Sequence, residues 1–394
     1  MSFSEWKKYK LEDVLEIKYG KDHKALSEGK IPAYGSGGIM RFVNKAIYEK
    51  DSILIPRKGS LNNLFYLNKP FWTVDTMFWT KINLELASPR FLFYQLTLLD
   101  YKSMNVGSAV PSLTVPVLNK IDILLPNLKT QNGIASILSS LDDAIELNKQ
   151  INKTLDEIPK ALFKEWFVDF NFPNATDKFQ ETEIGKIPVG WSVESFEDVF
   201  DADRGLSYKG AGLAQSDATP MHNLNSVLEG GGYKTIGIKY YTGDYKDKHI
   251  VNAGELIIAN TEQGHKYMLI GYPAIIPQFY GEHGIFSHHI YRLRPKKKCW
   301  LSPDFMYHLL LQPQVRDQVI GFANGTTVNM LKIEGLHKPK FAMPPKELAD
   351  KFTAIARANR LQAEQNIEEN QSLSNLRDTL LPKLMKGEIA LNIT

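Results

Sequence analysis

The chain has 394 residues, of which 43% are hydrophobic and 23% are charged, and its formal net charge is +3. This length predicts two or three domains, and the composition is typical of a soluble globular protein. No apolar run is long enough to cross a membrane, the N-terminal residues lack the apolar core of a signal peptide, and the single cysteine, Cys299, excludes an intrachain disulfide framework. We therefore expect a cytoplasmic protein whose small positive charge permits nucleic-acid binding without requiring it.

A globular unit is predicted for residues 1–127. Short apolar runs such as "SILIP" (52–56) and "IDILLP" (121–126) alternate with glycine, asparagine and proline, which indicates strands separated by turns. A helix is predicted after the Ser-Pro pair that opens "SPRFLFYQL" (88–96), because proline is favoured in the first helical turn. The unit is therefore expected to mix α and β structure.

A long helix is predicted for residues 128–170. Its apolar series alternates spacings of three and four residues, which is the heptad pattern of a helix that packs against another helix. The series comprises Ile134, Ile137, Leu141, Ala144, Asn148, Ile151, Leu155, Ile158 and Leu162. As a helix it would extend about 43 Å. Pro159 lies within the series, so we expect a kink or a helix break near Ile158.

Aromatic residues cluster at the end of this segment. Phe163, Trp166, Phe167 and Phe170 share one helix face, and a polar linker over residues 171–187 follows them. Packing against the adjoining domain and binding of a partner subunit explain this face equally well. We name Phe163, Trp166 and Phe167, together with Leu381, as candidate partner contacts.

The second half of the chain repeats the first. Trp6 and Trp191 begin similar stretches 185 positions apart, and "GSAVPSLTVPVLNKIDILLP" (107–126) follows the pattern of "GTTVNMLKIEGLHKPKFAMP" (325–344), 218 positions later. The offsets between matching stretches only increase along the chain, as expected if the second copy carries about 33 extra loop residues. A second globular unit is therefore predicted for residues 188–344.

A second long helix is predicted for residues 345–387, followed by a tail over residues 388–394. The register equivalent to the first helix gives the series Phe352, Ile355, Asn359, Gln362, Asn366, Glu369, Leu373, Leu376 and Leu380. Because the middle of this series is polar, a competing stripe of Ala356, Ala363 and Ile367 is an alternative. If the two helices pair, Asn148 and Asn366 could meet and fix the register. Exposure of both to solvent is the equally good alternative.

Polar and basic loops in both units offer the side chains that read DNA. Base edges are recognised by Arg, Lys, Asn, Gln, Ser and Thr, while phosphates attract basic groups. The first unit supplies Lys18, Tyr19, Lys21, Lys24, Tyr34, Ser36, Arg57, Lys58, Ser60, Asn62 and Asn63. The second supplies Arg204, Ser207, Tyr208, Lys209, Asn223, Asn225, Asn260, Thr261, Gln263, His265 and Lys266. Any one of these fits an ordinary surface turn, but the set favours DNA.

The sequence lacks the motifs of several catalytic classes, so no catalytic residue is assigned. It contains no phosphate-binding loop of the form G-x-x-x-x-G-K-[ST], and "GSGG" (35–38) fails the spacing of a dinucleotide or S-adenosylmethionine loop. His283, His288 and His289 lie close in sequence, but the last two should point to opposite sides of a strand, so no metal site is expected. Asp142, Asp143 and Glu146 fit the solvated face of a helix better than a nuclease site.

Four stretches resemble the specificity subunit of a type I restriction–modification system. They are "GKIPVGWSVESFEDVF" (185–200), "LPNLKTQNGIASILSSLDDAIELNKQIN" (125–152), "ALFKEWFVDF" (161–170) and "LLPKLMKGEI" (380–389). The resemblance implies two target recognition domains that read the halves of a split double-stranded DNA sequence. It also implies helices that set the gap and dock two methyltransferase subunits, with endonuclease and translocase subunits as further partners. No cofactor is then expected in this chain, because S-adenosylmethionine, ATP and magnesium would be bound by the partners.

We therefore expect an α+β protein in which two tandem globular α/β target recognition domains are separated by two long helices. The helices should form an antiparallel coiled coil, which gives the internal repeat a pseudo-twofold axis. The expected function is non-catalytic recognition of a bipartite DNA target and recruitment of adenine methyltransferase and endonuclease subunits. The alternative is a coiled-coil scaffold whose globular domains bind protein or glycan. Salt-dependent affinity for duplex DNA separates the two functions.

Overall fold

The computed structural model describes residues 6–107, 109–215, 217–263, 266–325, 328–389 and 391. The chain forms two compact units: unit 1 is Met1–Leu147 with Asn370–Thr394, and unit 2 is Asn148–Glu369. Each of the two long helices is divided between the units, whereas the predicted segments kept each helix whole. Among the described residues, no helix is long and apolar enough to cross a membrane.

Unit 1 combines nine strands, three short helices and parts of both long helices within its described residues. The strands are β1 (Lys7–Lys10), β2 (Leu15–Tyr19), β3 (Glu28–Gly35), β4 (Gly38–Val43), β5 (Ser52–Pro56), β6 (Phe65–Leu67), β7 (Trp72–Thr73), β8 (Met77–Ile82) and β9 (Asp122–Leu125). The helices are α1 (Leu11–Val14), α2 (Pro89–Thr97), α3 (Val115–Asn119) and the long α4 (Leu128–Phe163). Ser88 precedes α2 with extended backbone and Pro89 occupies its first turn, as predicted.

The main sheet of unit 1 has the order β2-β8-β5-β6, and a second sheet has the order β4-β3-β7. All five residues of β5 are buried, because this strand lies inside the sheet and is covered by α2. The core continues from Phe91 and Leu92 of α2 to Leu138 of α4. Leu384 and Met385, from the C-terminal part of the chain, are buried in the same core.

Unit 2 contains the remaining strands and helices. Its strands are β10 (Phe179–Thr182), β11 (Gly185–Pro188), β12 (Ser192–Ser195), β13 (Phe200–Arg204), β14 (Leu213–Ala214), β15 (Thr219–His222), β16 (Lys239–Tyr241), β17 (Ile250–Asn252), β18 (Leu256–Ala259), β19 (Thr261–Gln263), β20 (Pro273–Ile275), β21 (His283–Phe286), β22 (Ile290–Pro295), β23 (Ala323–Asn324), β24 (Val328–Leu331) and β25 (Lys340–Met343). Its helices are α5 (Phe196–Val199), α6 (Pro303–Leu310), α7 (Pro313–Gly321), α8 (Ile333–Leu336) and the long α9 (Lys346–Met385), which ends in unit 1.

The strand order of unit 1 recurs in unit 2. The sheet β13-β22-β18-β20 matches β2-β8-β5-β6, and the pair β12-β25 matches β1-β9. Local contacts recur as well: the Lys10 amide donates to Asp13 Oδ2 at 2.8 Å before α1, and the Ser195 amide donates to Asp198 Oδ2 at 3.2 Å before α5. The mixed α and β content predicted for both units is therefore confirmed.

The sheet of unit 2 with the order β14-β16-β15-β21-β17 contains the counterpart of β4-β3-β7, because β15 pairs antiparallel with β16 and parallel with β21 as β3 does with β4 and β7. Among the described residues, β14 and β17 are the strands that unit 2 adds at the edges of this sheet. Its strands β14 to β17 fall within residues 213–252, where the second copy carries additional sequence. The three glycines 230–232 lie there in a turn, each with positive φ, a conformation that glycine adopts at little cost. The extra residues of the repeat thus build structure in addition to lengthening loops.

The first long helix continues through Pro159. It reaches Phe163 and is followed by a π-helical turn over Lys164–Val168, so the helix break expected near Ile158 is absent. The series of residues that this helix turns inward agrees with the predicted series at every second position and lies one residue later at the positions between. The inward residues are Ile134, Leu138, Leu141, Ile145, Asn148, Asn152, Leu155, Pro159 and Leu162, whereas Ile137, Ile151 and Ile158 are exposed.

The second long helix shows the same displacement by one residue. Its inward series is Phe352, Ala356, Asn359, Ala363, Asn366, Asn370, Leu373, Arg377, Leu380 and Leu384. The alternative stripe of Ala356, Ala363 and Ile367 therefore faces inward, while Ile355, Gln362 and Leu376 of the first register are exposed. Side-chain packing around the polar middle, which the sequence pattern alone does not specify, decides the register.

Hydrogen bonds in unit 2 join the two helices in opposite directions. Asn148 donates to Glu369 Oε2 at 2.9 Å, and Asn366 donates to Asn152 Oδ1 at 2.7 Å. Later residues of α4 thus meet earlier residues of α9, and these segments run antiparallel. Asn148 and Asn366 therefore do not pair with each other as considered above: Asn366 pairs with Asn152, about one turn beyond Asn148, and Asn148 pairs with Glu369.

The aromatic face at the end of α4 belongs largely to the core of unit 2. The ring of Phe163 lies 5.1 Å from that of Phe305 and 5.2 Å from that of Phe352. Phe167 also packs on Phe305, at 4.9 Å between ring centroids. Because both side chains are buried, neither is available as the partner contact that we predicted. Trp166 in unit 2 and Leu381 in unit 1 are only partly buried.

Candidate nucleic-acid interface

The loop after β2 in unit 1 is fixed against the segment before β8. The Lys21 amide donates to the Thr73 carbonyl at 2.9 Å, and the Trp72 indole donates to the Lys21 carbonyl at 3.0 Å. The backbone of this loop is therefore held in place while the side chains of Lys21 and Lys24 are exposed. The ammonium groups of Lys21 and Lys24 are thus exposed on a loop whose backbone is held by hydrogen bonds.

Arg57 and Tyr19 form the centre of the same surface. The Arg57 guanidinium lies 5.3 Å from the centroid of the Tyr19 ring and donates to the Asp75 carbonyl at 3.0 Å. A cation over an aromatic face is attracted to its π electrons, so this contact limits the motion of both side chains. The neighbouring Lys58 is exposed. Arg57 thus retains donors while its position is fixed.

The turn between β3 and β4 completes the surface. The Asn63 amide donates to the Ser36 carbonyl at 2.9 Å, which joins this turn to the loop over residues 57–63. Gly59 has a φ of 89°, and a Cβ atom there would lie 3.1 Å from the Ser36 hydroxyl, so glycine permits the close approach. Ser60 and Asn62 are exposed beside it, whereas Tyr34 is half-buried against Phe65.

These three loops bring most predicted residues of unit 1 together, and we call the result the unit 1 loop surface. It consists of Tyr19, Lys21, Lys24, Tyr34, Ser36, Arg57, Lys58, Ser60, Asn62 and Asn63. Lys18 differs because its ammonium pairs with the Glu16 carboxylate on the same strand. Their hydrogen bond lowers the pKa of Glu16, and the positive charge of Lys18 is correspondingly balanced.

Unit 2 presents a polar groove in the corresponding region. The Lys239 ammonium donates to the Tyr208 hydroxyl at 2.9 Å and lies 5.2 Å from the centroid of the same ring. Lys234 donates to Asn225 Oδ1 at 3.4 Å. Together with Ser287 and His289, these side chains line an open groove. Arg204, Ser207 and Lys209 are exposed.

Lys234 and Lys239 were missed by the sequence reasoning. Both lie in "YKTIGIKYY" (233–241), where basic and aromatic residues are interspersed. That interleaving is a signal for nucleic-acid binding, because aromatic rings stack on bases while lysines contact phosphates. The stretch begins next to the three glycines 230–232.

Three predicted residues of unit 2 are buried and support the fold instead. Asn223 accepts a hydrogen bond from the Asn225 amide at 2.9 Å, and Asn260 donates to the His288 carbonyl at 3.1 Å. Thr261 Oγ1 lies 3.1 Å from His289 Nδ1. Asn223, Asn260 and Thr261 are thus buried with polar groups bonded inside the protein, which disfavours them as DNA contacts.

The predicted loop after β19 is anchored by a buried carboxylate. Glu262 accepts hydrogen bonds from the amides of Met268, Leu269 and Ile270 at 2.8, 2.8 and 2.9 Å. Gln263 and Lys266 are exposed, and His265 lies outside the described residues. No pattern around Glu262 in the sequence indicates this role.

The histidine cluster lies in a turn. His288 and His289 fall between β21 and β22, and their ring centroids are only 3.9 Å apart, so the expectation that they point to opposite sides of a strand is wrong. Burial and the nearby His288, Lys239 and Arg204 lower the pKa of His289. Within the described part of the chain, no group of three or more His, Cys, Asp or Glu side chains is placed to hold a metal ion.

Comparisons with known proteins agree on one family. A model described as the type I restriction modification DNA specificity domain matches residues 3–157 and 188–369. The MjaIX type I restriction enzyme specificity subunit of Methanocaldococcus jannaschii is 25% identical over 351 residues, which cover 87% of this chain and 78% of that protein. The HindI type I specificity subunit of Haemophilus influenzae is 25% identical over 377 residues, with coverages of 78% and 79%.

One solved structure shares the fold along nearly the whole chain. The S subunit of a type I restriction-modification system from M. genitalium superposes with a TM-score of 0.66, at 16% sequence identity, and the match covers 96% of each chain.

Proposed function

This chain belongs to the type I restriction modification DNA specificity domain family, and we propose that each of its units reads one half of a bipartite DNA target. The prediction of a specificity subunit with a non-catalytic role is confirmed by this membership, since the family model matches the chain twice. DNA recognition is therefore favoured over the alternative hypothesis, in which the chain is a scaffold that binds protein or glycan.

The observation that carries the proposal is the placement of the loops on the repeated sheet. In unit 1 they follow β2 and β5 and precede β8; in unit 2 they follow β13 and β18 and precede β22. These strands occupy equivalent positions in the two sheets, so each unit carries its exposed basic and polar side chains at the same sheet end. Two equivalent surfaces support the recognition of two half-sites, and their different residues support different sequences.

We further propose that α4 and α9 form an antiparallel coiled coil that sets the distance between half-sites. The antiparallel hydrogen bonds of unit 2 and the contact of Arg377 with Asp142 in unit 1, at 2.8 Å, support this pairing. Both helices carry inward residues at alternating spacings of four and three, which is a heptad repeat. The equivalent topology of the units supports a pseudo-twofold arrangement of the whole chain.

The assembly that we propose contains two methyltransferase subunits and the endonuclease and translocase subunits. Methyl transfer and ATP hydrolysis would then use S-adenosylmethionine, ATP and magnesium bound by those partners, in the cytoplasm. Trp166 and Leu381 are the predicted partner contacts that retain exposed surface. Within this division of labour, the present chain selects the site and the partners modify an adenine in each half.

Methylome sequencing tests the proposed function. The chain is co-expressed with its methyltransferase subunit in a host that lacks other adenine methylation, and methylated adenines are mapped across the genome. A split motif with a fixed gap is the expected result. If both proteins are expressed and associate but no adenine is methylated, and the complex does not bind duplex DNA in a salt-dependent way, the scaffold alternative is favoured.

A further inference from the structure

The hairpin formed by β3 and β4 exposes a concentrated apolar surface in unit 1. Ile39, Met40 and Phe42 are 53%, 58% and 49% exposed, and all three lie on β4, the edge strand of the sheet β4-β3-β7. Single exposed apolar residues are common, but three within four positions on an edge strand are a liability that proteins normally avoid. This strand is therefore a surface suited to contact with a binding partner.

The two faces of the hairpin have different roles. Val43 and Ala33 are fully buried against Trp72, so one face packs on a small core. Since side chains alternate along a strand, Met40 and Phe42 lie on the face opposite to Val43. Ile39 follows the turn at the tip. By the same alternation Ile39 lies on the face of Val43, and the Met40 side chain lies over Gly35. The exposed apolar surface opposite the small core is therefore formed by Met40 and Phe42, with Ile39 beside the turn.

The surroundings of this surface are basic. Lys30, Arg41 and Lys45 lie on or directly beside the hairpin, and Arg41 donates to the Leu26 carbonyl at 3.2 Å, which attaches the hairpin to the loop that carries Lys21 and Lys24. Glu28 is exposed on β3 itself, and Asp22 and Asp75 line the adjoining groove together with Met40 and Lys24. An apolar centre whose rim carries more cations than anions complements a polyanion better than it complements a neutral protein surface.

The hairpin is also formed before any partner binds. The Tyr34 carbonyl accepts hydrogen bonds from the Val74 amide and the Thr73 hydroxyl, both at 3.1 Å, and the Ser36 carbonyl accepts one from Asn63. Its tip is therefore attached to the unit 1 loop surface on two sides. Pre-formation reduces the entropy lost on binding, so a small apolar contact contributes more to affinity.

We propose, on the basis of the proposed function, that this hairpin enters the major groove and that its apolar side chains contact thymine methyl groups. The major groove admits a two-stranded β-ribbon, and the C5 methyl of thymine is the apolar group that it presents. Met40 and Phe42 supply the contact surface, with Ile39 at the tip. The lysines of the rim contact phosphates on both sides. The half-site read by unit 1 therefore contains thymine at the positions that the hairpin reaches.

The test replaces thymine by uracil, which removes only the methyl group. The complex of this chain with its methyltransferase subunit is bound to duplexes that carry the mapped target, and each thymine of the target is substituted in turn. At the thymines that the hairpin reaches, the dissociation constant should rise about fourfold, the effect of losing one buried methyl group. Met40→Ala or Phe42→Ala should abolish the difference between thymine and uracil at one of these positions.

Leu84→Ala provides the matched control. Leu84 is 62% exposed in the same unit, but it follows the opposite end of β8 from the loop surface. This variant should retain the full discrimination between thymine and uracil.

The outcomes separate this inference from the function on which it rests. Absence of any target-specific duplex binding overturns both. Target binding that is insensitive to every uracil substitution overturns only the role of the hairpin. If the alanine variants weaken association with the methyltransferase subunit and bind thymine and uracil duplexes with the same ratio as the wild type, the surface belongs to that subunit and the inference is wrong.

Discussion

The side-chain amide of Asn366 donates a hydrogen bond to Oδ1 of Asn152, and the two atoms are 2.7 Å apart. Asn152 in turn donates to the Ala363 carbonyl at 3.1 Å, and Gln362 donates to Asn366 Oδ1 at 3.0 Å. Asn366 is only 6% exposed, so these partners replace water. A shift of one helix along the other would leave the amides buried without partners, and this cost favours one alignment.

Replacement of Asn366 by alanine should lower the free energy of unfolding by about 1–3 kcal/mol, because Asn152 would lose a buried partner. Urea denaturation measures the change. Gln365→Ala, at the exposed neighbouring position, is the control and should change stability by less than about 0.5 kcal/mol. Equal effects of the two substitutions would show that the asparagine pair has no particular role.

Substitution of Asp304 by asparagine should destabilise unit 2 by about 3 kcal/mol. Asp304 is 2% exposed and accepts hydrogen bonds from Arg360 at 2.7 Å and Arg357 at 3.2 Å. Its loss removes the carboxylate that both arginines share and leaves Arg360 with Glu364 alone, at 2.6 Å. The control is the exposed ion pair of Lys346 and Asp350, which lies on α9 like the two arginines. Asp350→Asn should cost less than about 1 kcal/mol in the same urea titration.

Acid should destabilise the fold through His222. Burial lowers the pKa of His222 to about 3 from its ordinary value of 6.5, so between these values the unfolded chain binds a proton that the folded chain does not. The free energy of unfolding is therefore unaffected by His222 above about pH 6.5 and falls as the pH is lowered further. Between pH 7 and pH 5 it should decrease by about 2 kcal/mol.

The free energy of unfolding, measured by urea titration at several pH values, checks this expectation. His222→Gln should reduce the dependence on pH between 7 and 5, whatever its effect on stability at pH 7. His283→Gln, at an exposed position, is the matched substitution. An unchanged pH dependence in the His222 variant would contradict the assignment.

Two lysines of unit 1 should differ in their contribution to DNA binding. Lys21→Ala should weaken binding to all duplexes to a similar extent and make the salt dependence shallower by about one unit of log Kd per log salt concentration, as expected for one lost phosphate contact. Lys18→Ala should have a smaller effect, because Glu16 already balances its charge. Salt titrations of both variants test this difference, and equal slopes would indicate that only net charge matters.

Insertion of one heptad into each long helix should widen the gap of the target and leave both half-sites unchanged. Seven helical residues add about 10 Å, which corresponds to about three base pairs of B-DNA. Insertion next to Lys149 in α4 and next to Glu368 in α9 preserves the inward series on both sides. Methylome sequencing gives the new motif. A changed half-site with an unchanged gap would contradict the proposed spacer.

The long helices illustrate what a hydrophobic pattern can predict. Their existence and extent were expected, and positions such as Asn148 and Asn366 were correctly placed on the inward series. The alternate positions were wrong by one residue, because Ile151 was chosen over Asn152 and Ile158 over Pro159. Isoleucine is the more apolar side chain, yet Ile151 is exposed and Asn152 is half-buried with its amide paired. Polar pairing across the helices overrides hydrophobicity there.

The loops show the complementary difficulty. Composition identified the residues of the unit 1 loop surface, because there the exposed side chains are the polar ones. In unit 2 the same reasoning selected Asn223 and Asn260, whose amides hydrogen bond to the protein backbone. Asparagine serves both purposes, and only the course of the backbone distinguishes them. The apolar hairpin was missed for the opposite reason, since Ile39, Met40 and Phe42 fit the pattern of a buried strand.

The C-terminal residues of the chain complete the core of unit 1. Leu384 and Met385 are buried beside Leu138, and Gly387 lies against the ring of Trp6. During synthesis, residues 1–147 leave the ribosome first but lack these contacts until Leu384, Met385 and Gly387 have emerged. Unit 2, which is continuous in sequence, can finish folding earlier. The unit that is synthesised first is therefore the last to mature, and a ribosome that stops short of Leu384 releases a chain whose N-terminal part is the defective one.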